Sequence, residues 1–297
     1  MNIEISSVEL AQILQERSNS LILDIRSKDN YMSGHISGSA NAVCTSMQQK
    51  QIIMSKIPPN MKVILIDEDG SEAKQNATIM ARFGFDAHYL KDGFKSWTGQ
   101  IVKSTQDTTI SGDILWNSIR QDNDVFLLDV REPQEFAEFK IPGAVNIPLS
   151  QLFMPGSQLQ IPKDKKIVTI CSHGNRSMVA TFALAQNGLE STSLVGGMSL
   201  WNQVLGATVL KENDIVIIQV EKIGKGCLSH IIGSNGEAVV IDPTYPPSKY
   251  LEYAQKEGLK ITKVIDTHQH ADHRSEEHTS ELQSHLNLVC RLLLEKK

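Results

Sequence analysis

Seven consecutive residues, "CSHGNRS" from Cys171 to Ser177, set four residues between a thiol and a guanidinium. An apolar run, "KIVTI", precedes them, and a helix-forming stretch, "SMVATFALAQNG", follows at once. A loop that closes from a strand into a helix turns the backbone N–H groups of Ser172 to Ser177 inward, toward the sulfur. The helix N-terminus and Arg176 add positive potential, which stabilises a thiolate or a bound anion. Gly174 permits the tight curl that other residues resist. Such a cradle suits nucleophilic chemistry: sulfur attacks sulfur or phosphorus, and the N–H groups hold the charge that develops. Cys171 and Arg176 are therefore the candidate catalytic residues. Ser172, His173, Gly174, Asn175 and Ser177 are the candidate substrate-binding loop, with His173 read as a loop residue rather than a general base. A second cluster, His268, His270, Asp272 and His273, follows the apolar run "ITKVID". Imidazole and carboxylate at that density suit zinc or iron.

The elements that must position these groups come in two copies. "LILDIRSKDNYMSGHISGSANA" and "FLLDVREPQEFAEFKIPGAVNIP" align at an offset of 105 residues, pairing Asp24 with Asp129 and Asn41 with Asn146. Further on the offset is 104, pairing Gly70 with Gly174 and Trp97 with Trp201. A period this long means a duplicated domain rather than a solenoid. In each copy, apolar strands alternate with helices, which predicts a parallel sheet covered on both faces. The expected domains are 1–100 and 108–210, joined by the polar linker "TGQIVKSTQDTTISG". Cys171 then lies at the carboxyl end of a strand, where open α/β sheets bind ligands. The strand-end residues Asp24, Asp129, Arg131 and Glu132 read as structural. The 104 offset sets Asp67 opposite Cys171 and Glu72 opposite Arg176, in the loop "DEDGSEA". A carboxylate cannot act as the thiolate nucleophile, and the acids repel a bound anion. The first copy is expected to be inactive.

"LLDVREPQEF", "IPGAVNIP", "CSHGNRS" and "LVGGMSLW" together resemble the rhodanese family of sulfurtransferases, over about 200 residues. The resemblance implies that Cys171 accepts a sulfane sulfur as a persulfide, that Arg176 positions an anionic donor, and that the loop amides hold the persulfide. "FKIPGA" stands where many members carry a "GHIPGA" type turn, a structural departure. Cysteine phosphatases and arsenate reductases of similar topology space Cys and Arg by five residues; four residues here favour the smaller sulfur site. The implied partners are thiosulfate or persulfides and thiol acceptors, with no cofactor for sulfur transfer. A non-catalytic module that only binds persulfide is the competing class.

After residue 213 the pattern changes to strand, hairpin (with Asn235–Gly236 as its turn), helix and strand. "KGCLSHIIGSNGEAVVIDP" and "THQHADH" are similar to the glyoxalase II and persulfide dioxygenase branch of the metallo-β-lactamase fold. That likeness implies that His268 and His270 bind one metal, zinc or iron, while Asp272 and His273 serve a second metal or support the first. It also makes a metal-dependent persulfide dioxygenase or thioester hydrolase an alternative activity of the intact gene. The fold class expected is thus α/β: two rhodanese-like parallel-sheet domains plus the N-terminal fragment, 213–273, of a metallo-β-lactamase αβ/βα sandwich. Residues 274–297 resemble the conceptual translation of a short-read sequencing adapter, "RSEEHTSELQS" through "LVCRLLLEK", which implies an assembly artefact, a truncated third domain and an incomplete metal site. A net charge of −5 and the lack of a basic stripe argue against a nucleic-acid groove. No apolar run reaches roughly 18 residues, and the N-terminus lacks a secretory pattern. With four cysteines at unpaired spacings, the expectation is a reduced, cytoplasmic protein that makes no membrane contact.

Overall fold

A computed structural model of the chain describes residues 3–16, 19–42, 53–104, 107–121, 124–154, 160–244 and 246–267. The first repeat holds strands β1 (Glu4–Ile5), β2 (Ser20–Asp24), β3 (His35–Ile36), β4 (Ser39–Asn41), β5 (Lys62–Ile66), β6 (Asp86–Leu90) and β7 (Ile101–Val102). Its helices are α1 (Ser7–Glu16), α2 (Lys28–Ser33) and α3 (Ser71–Arg82). The second repeat holds β8 (Thr109–Ile110), β9 (Val125–Asp129), β10 (Val145–Asn146), β11 (Lys166–Ile170) and β12 (Ser191–Leu194). Its helices are α4 (Gly112–Arg120), α5 (Pro133–Glu138), α6 (Leu149–Leu152), α7 (Asn175–Gln186) and α8 (Gly197–Trp201).

The two parallel sheets have the same order, β1-β6-β5-β2-β4 and β8-β12-β11-β9-β10. In both, the two apolar runs of the repeat lie side by side, Leu23 opposite Leu65 and Leu128 opposite Thr169. All five residues of β2 are buried, as a strand covered on both faces requires. The linker is more structured than its polarity suggests: β7 pairs antiparallel with β3, and β8 pairs parallel with β12. Two-residue strands are held by backbone hydrogen bonds, so they leave no apolar period to read.

One core serves both repeats. Val179, Ala180, Phe182, Ala183 and Leu184 of α7 cluster with Leu21, Leu23 and Ala40 of the first repeat as well as with Leu128 and Ile167 of the second. α7 touches β2 and β4 as well as its own β11 and β12. A helix apolar around most of its circumference must be buried on several sides, and six of its residues are. On the other face of the first sheet, Leu10 of α1 packs with Ile22, Ile64 and Trp97.

A separate unit begins at Leu200. Its sheet runs β13 (Leu205–Glu212), β14 (Ile215–Lys222), β15 (Cys227–Ser234), β16 (Glu237–Ile241) and β17 (Lys260–Ile265), with α9 (Pro247–Lys256) before the last strand. The first four strands form an antiparallel meander, and β17 joins parallel to β16. Tight turns at Asn213 and at Asn235–Gly236 use positive φ, 52°, 50° and 81°. The side chains of Leu205, Ile218, Ile231, Val240 and Tyr250 form its core. β13 crosses the boundary expected at residue 210. The repeat ends at Trp201, but the turn at Asn213 ties the preceding strand into the new sheet. Among the described residues, no helix is long and apolar enough to cross a membrane.

Candidate active site

β11 lies between β9 and β12, and Cys171 follows its last residue. Gly174, at φ 91° and ψ −17°, bends the chain from the strand end into α7. Its left-handed backbone is one that residues with a Cβ adopt at a cost. A second glycine, Gly197, pins the loop from the other side. The Met198 N–H donates to the Cys171 carbonyl at 2.8 Å, and the Ser199 N–H donates to that of Ser172 at 3.0 Å. A Cβ on Gly197 would lie 2.0 Å from the Cys171 oxygen, so only glycine allows this approach.

The thiol is buried, with 1% exposure. The Gly174 N–H donates to Sγ at 3.1 Å, and the thiol donates to Ser177 Oγ at 3.5 Å. Ser177 Oγ in turn donates to the Gly174 carbonyl and lies 2.8 Å from Ser193 Oγ. Of the loop residues expected at the site, Cys171, Gly174 and Ser177 thus converge on the sulfur. His173 is exposed and Asn175 half-buried.

Arg176 is engaged elsewhere. Its two terminal nitrogens each donate to a Glu135 carboxylate oxygen at 2.7 Å, and one also donates to Ser172 Oγ at 2.9 Å. Ser172 Oγ closes the triangle by donating to Glu135 at 2.8 Å. The Arg176 hydrogen bonds, helped by Ser172 and opposed by burial, hold the Glu135 carboxyl down to about 2. Glu135 in turn raises the pKa of Arg176 against the pull of burial. The positive potential expected from Arg176 is therefore offset by a carboxylate on α5. Glu135 and Ser193 went unread in the sequence. The repeat did hold a signal for Glu135: where Arg176 is replaced by Glu72, Glu135 is replaced by Asn30. Both ends of the pair change together.

The first repeat builds the same loop around a different group. Gly70 has φ 88° and ψ −8°. The Phe94 N–H donates to the Asp67 carbonyl at 2.8 Å, as Met198 does to Cys171. One Asp67 carboxylate oxygen accepts from the Gly70 N–H at 2.5 Å. The other accepts from the N–H groups of Glu72 at 2.7 Å and Ala73 at 3.1 Å. An anion built into the chain fills this cradle.

The strand-end acids act structurally. Arg131 Nε and a terminal nitrogen donate to Asp129 at 3.0 and 2.7 Å, and the same terminal nitrogen donates to the Phe139 carbonyl at 2.6 Å. Arg26 repeats this with Asp24 and the Gly34 carbonyl. The Glu132 N–H donates to Glu135 at 3.1 Å, which helps aim that carboxylate.

At the end of β17, the Thr267 N–H donates to Asp242 at 2.7 Å. The expected metal ligands His268, His270, Asp272 and His273 lie outside the described residues, as does 274–297. Among the described residues no group of three or more His, Cys, Asp or Glu could hold a metal ion.

Comparison with known proteins bears on both parts of the chain. The rhodanese-like domain family matches residues 6–100 and 111–204. The metallo-beta-lactamase superfamily matches residues 223–275. YtwF of Bacillus subtilis is 38% identical over 92 residues, 31% of this chain and 87% of that protein. A sulfurtransferase of Allochromatium vinosum is 34% identical over 93 residues, 31% of this chain and 85% of its own length. Among solved structures, a rhodanese-related protein of Thermoplasma volcanium shares 38% identity at a TM-score of 0.28, over 31% of this chain and 88% of that one.

Proposed function

Because the chain belongs to the rhodanese family, we propose that it is a sulfurtransferase whose second repeat moves sulfane sulfur from thiosulfate or a persulfide to a thiol, through a persulfide on Cys171. The observation that carries this reading is the Asp67 carboxylate. Its two oxygens, one on the Gly70 N–H and one on those of Glu72 and Ala73, put negative charge two bonds beyond Cβ, where the outer sulfur of a Cys–S–S⁻ group would stand. In the second repeat the Gly174 N–H donates to Sγ of Cys171. The outer sulfur would face the amides of Arg176 and Ser177, the equivalents of Glu72 and Ala73.

In the loading step, the Cys171 thiolate attacks the donor's outer sulfur. A new S–S bond forms and the donor's own S–S (or S–sulfonate) bond breaks. Its electron pair leaves with the thiolate or sulfite. In the second step an acceptor thiolate attacks the outer sulfur of Cys–S–S⁻ and takes it, returning Cys171 as a thiolate. No net oxidation occurs, so the two steps need no redox cofactor. The amides stabilise the negative charge on the persulfide, and burial of Cys171 shields it from bulk water.

Thiosulfate:cyanide turnover by the full chain tests the reading. Cys171→Ala is expected to abolish turnover. Full turnover by that variant would overturn the assignment, and no turnover by the unmodified protein with any sulfane donor would leave a persulfide-binding module instead.

A further inference from the structure

We propose that Glu135 is a donor-selecting residue: by holding Arg176 in a two-point ion pair at the lip of the thiol loop, it disfavours dianionic donors such as thiosulfate and favours singly charged organic persulfides, R–S–S⁻. The proposal rests on the sulfurtransferase reading above and narrows its substrate class.

The geometry is specific. Both terminal nitrogens of Arg176 point at Glu135, and the remaining contact goes to Ser172 Oγ, itself bonded to the same carboxylate. The guanidinium is partly exposed, at 22%, as is the carboxylate, at 35%, so a donor approaching the loop from solvent can meet the pair. Cys171 and Glu132 are the other charge-bearing groups that act on Arg176. Arg176 contributes one positive charge, and Glu135 and Glu132 one negative charge each. These three side chains together are therefore net negative before the thiolate is counted. A dianion meets that charge twice over, and the arginine that would offset it is already committed. A persulfide with an uncharged tail brings a single charge. The pair also comes and goes with the nucleophile: the repeat that lacks the thiol has Asn30 and Glu72 in the two places.

Charge balance is kept with either donor. Thiosulfate and the thiolate carry three negative charges and give Cys–S–S⁻ and sulfite, also three. R–S–S⁻ and the thiolate carry two and give Cys–S–S⁻ and R–S⁻.

The test is the second-order rate of Cys171 loading, read by rapid quench and mass spectrometry of the full chain. The donors are thiosulfate and 2-hydroxyethyl persulfide. Glu135→Gln is expected to raise the thiosulfate rate about five- to tenfold, by removing one like charge and freeing Arg176. The persulfide rate should stay within about twofold, because its single charge gains less from the freed arginine. A merely structural role for Glu135 would lower both rates together, and that result overturns the proposal. The unmodified protein gives an independent reading should the variant fold poorly. Added salt screens like charges, so its thiosulfate loading is expected to quicken with ionic strength. Slowing with salt overturns the proposal. If neither donor loads Cys171 in the unmodified protein, it is the sulfurtransferase reading that fails. Loading by both with an unshifted donor ratio in Glu135→Gln sinks only the selection by Glu135.

Discussion

Cys171 and Asp67 end equivalent strands, accept from equivalent glycine N–H groups and differ in what they can do. A thiolate can form and release a bond to sulfur; a carboxylate can only occupy the space. The distinction was legible in the sequence, since residue type alone decides it. Glu135 was harder to read, because its importance lies in a contact across 41 positions of chain and the signal for it is the joint change to Asn30 and Glu72 in the first repeat. The pair it makes has a testable pH signature. The folded-state carboxyl is depressed from an ordinary 4.5 to about 2. A depressed acid contributes stability that is present above its unfolded value and lost as pH falls through its folded value. The thermal midpoint of the unmodified protein should therefore exceed that of Glu135→Gln at pH 6, and the gap should close between about pH 4.5 and pH 2. A gap that is constant down to pH 2 would show that the carboxylate charge contributes nothing.

Two glycines fix the loop as an element. Gly174 turns it out of β11, and Gly197 lets the following turn close on the Cys171 carbonyl. Gly197 has φ 55°, and an added Cβ would overlap that carbonyl oxygen at 2.0 Å. Gly197→Ala should lower stability by on the order of 3 kcal/mol, from backbone strain plus steric displacement. It should also reduce sulfur transfer below its melting point, since the loop it displaces carries the thiol. Unchanged turnover at an unchanged melting temperature would contradict that geometry. At this scale the long apolar strands and the helix after the loop could be read from their runs and periods. The short strands β7 and β8 could not: their two-residue pairings are set by neighbouring backbone rather than by side chains.

Across the whole molecule, the first repeat has a physical use. α7, whose first turn bears Arg176, buries Phe182 and Ala183 in a core that includes Leu21, Leu23 and Ala40 of the first repeat. The duplication was plain in the sequence, but the shared core was not, because an apolar helix does not say which sheets it fills between. Phe182→Ala should cost about 3–5 kcal/mol. Amide exchange should quicken in both β5 and β11, whereas a loss of protection confined to β11 would refute a common core. The metallo-beta-lactamase match at 223–275 adds a separate sheet, and the sulfur chemistry argued above needs no group from it. The account turns on where the sulfur resides. Peptide mapping by mass spectrometry, after incubation with excess donor and removal of free sulfur species, measures this directly. The expected result is one added sulfur on the peptide containing Cys171 and none on those containing Cys44, Cys227 or Cys290; sulfur carried on another cysteine, with Cys171 unmodified, would contradict it.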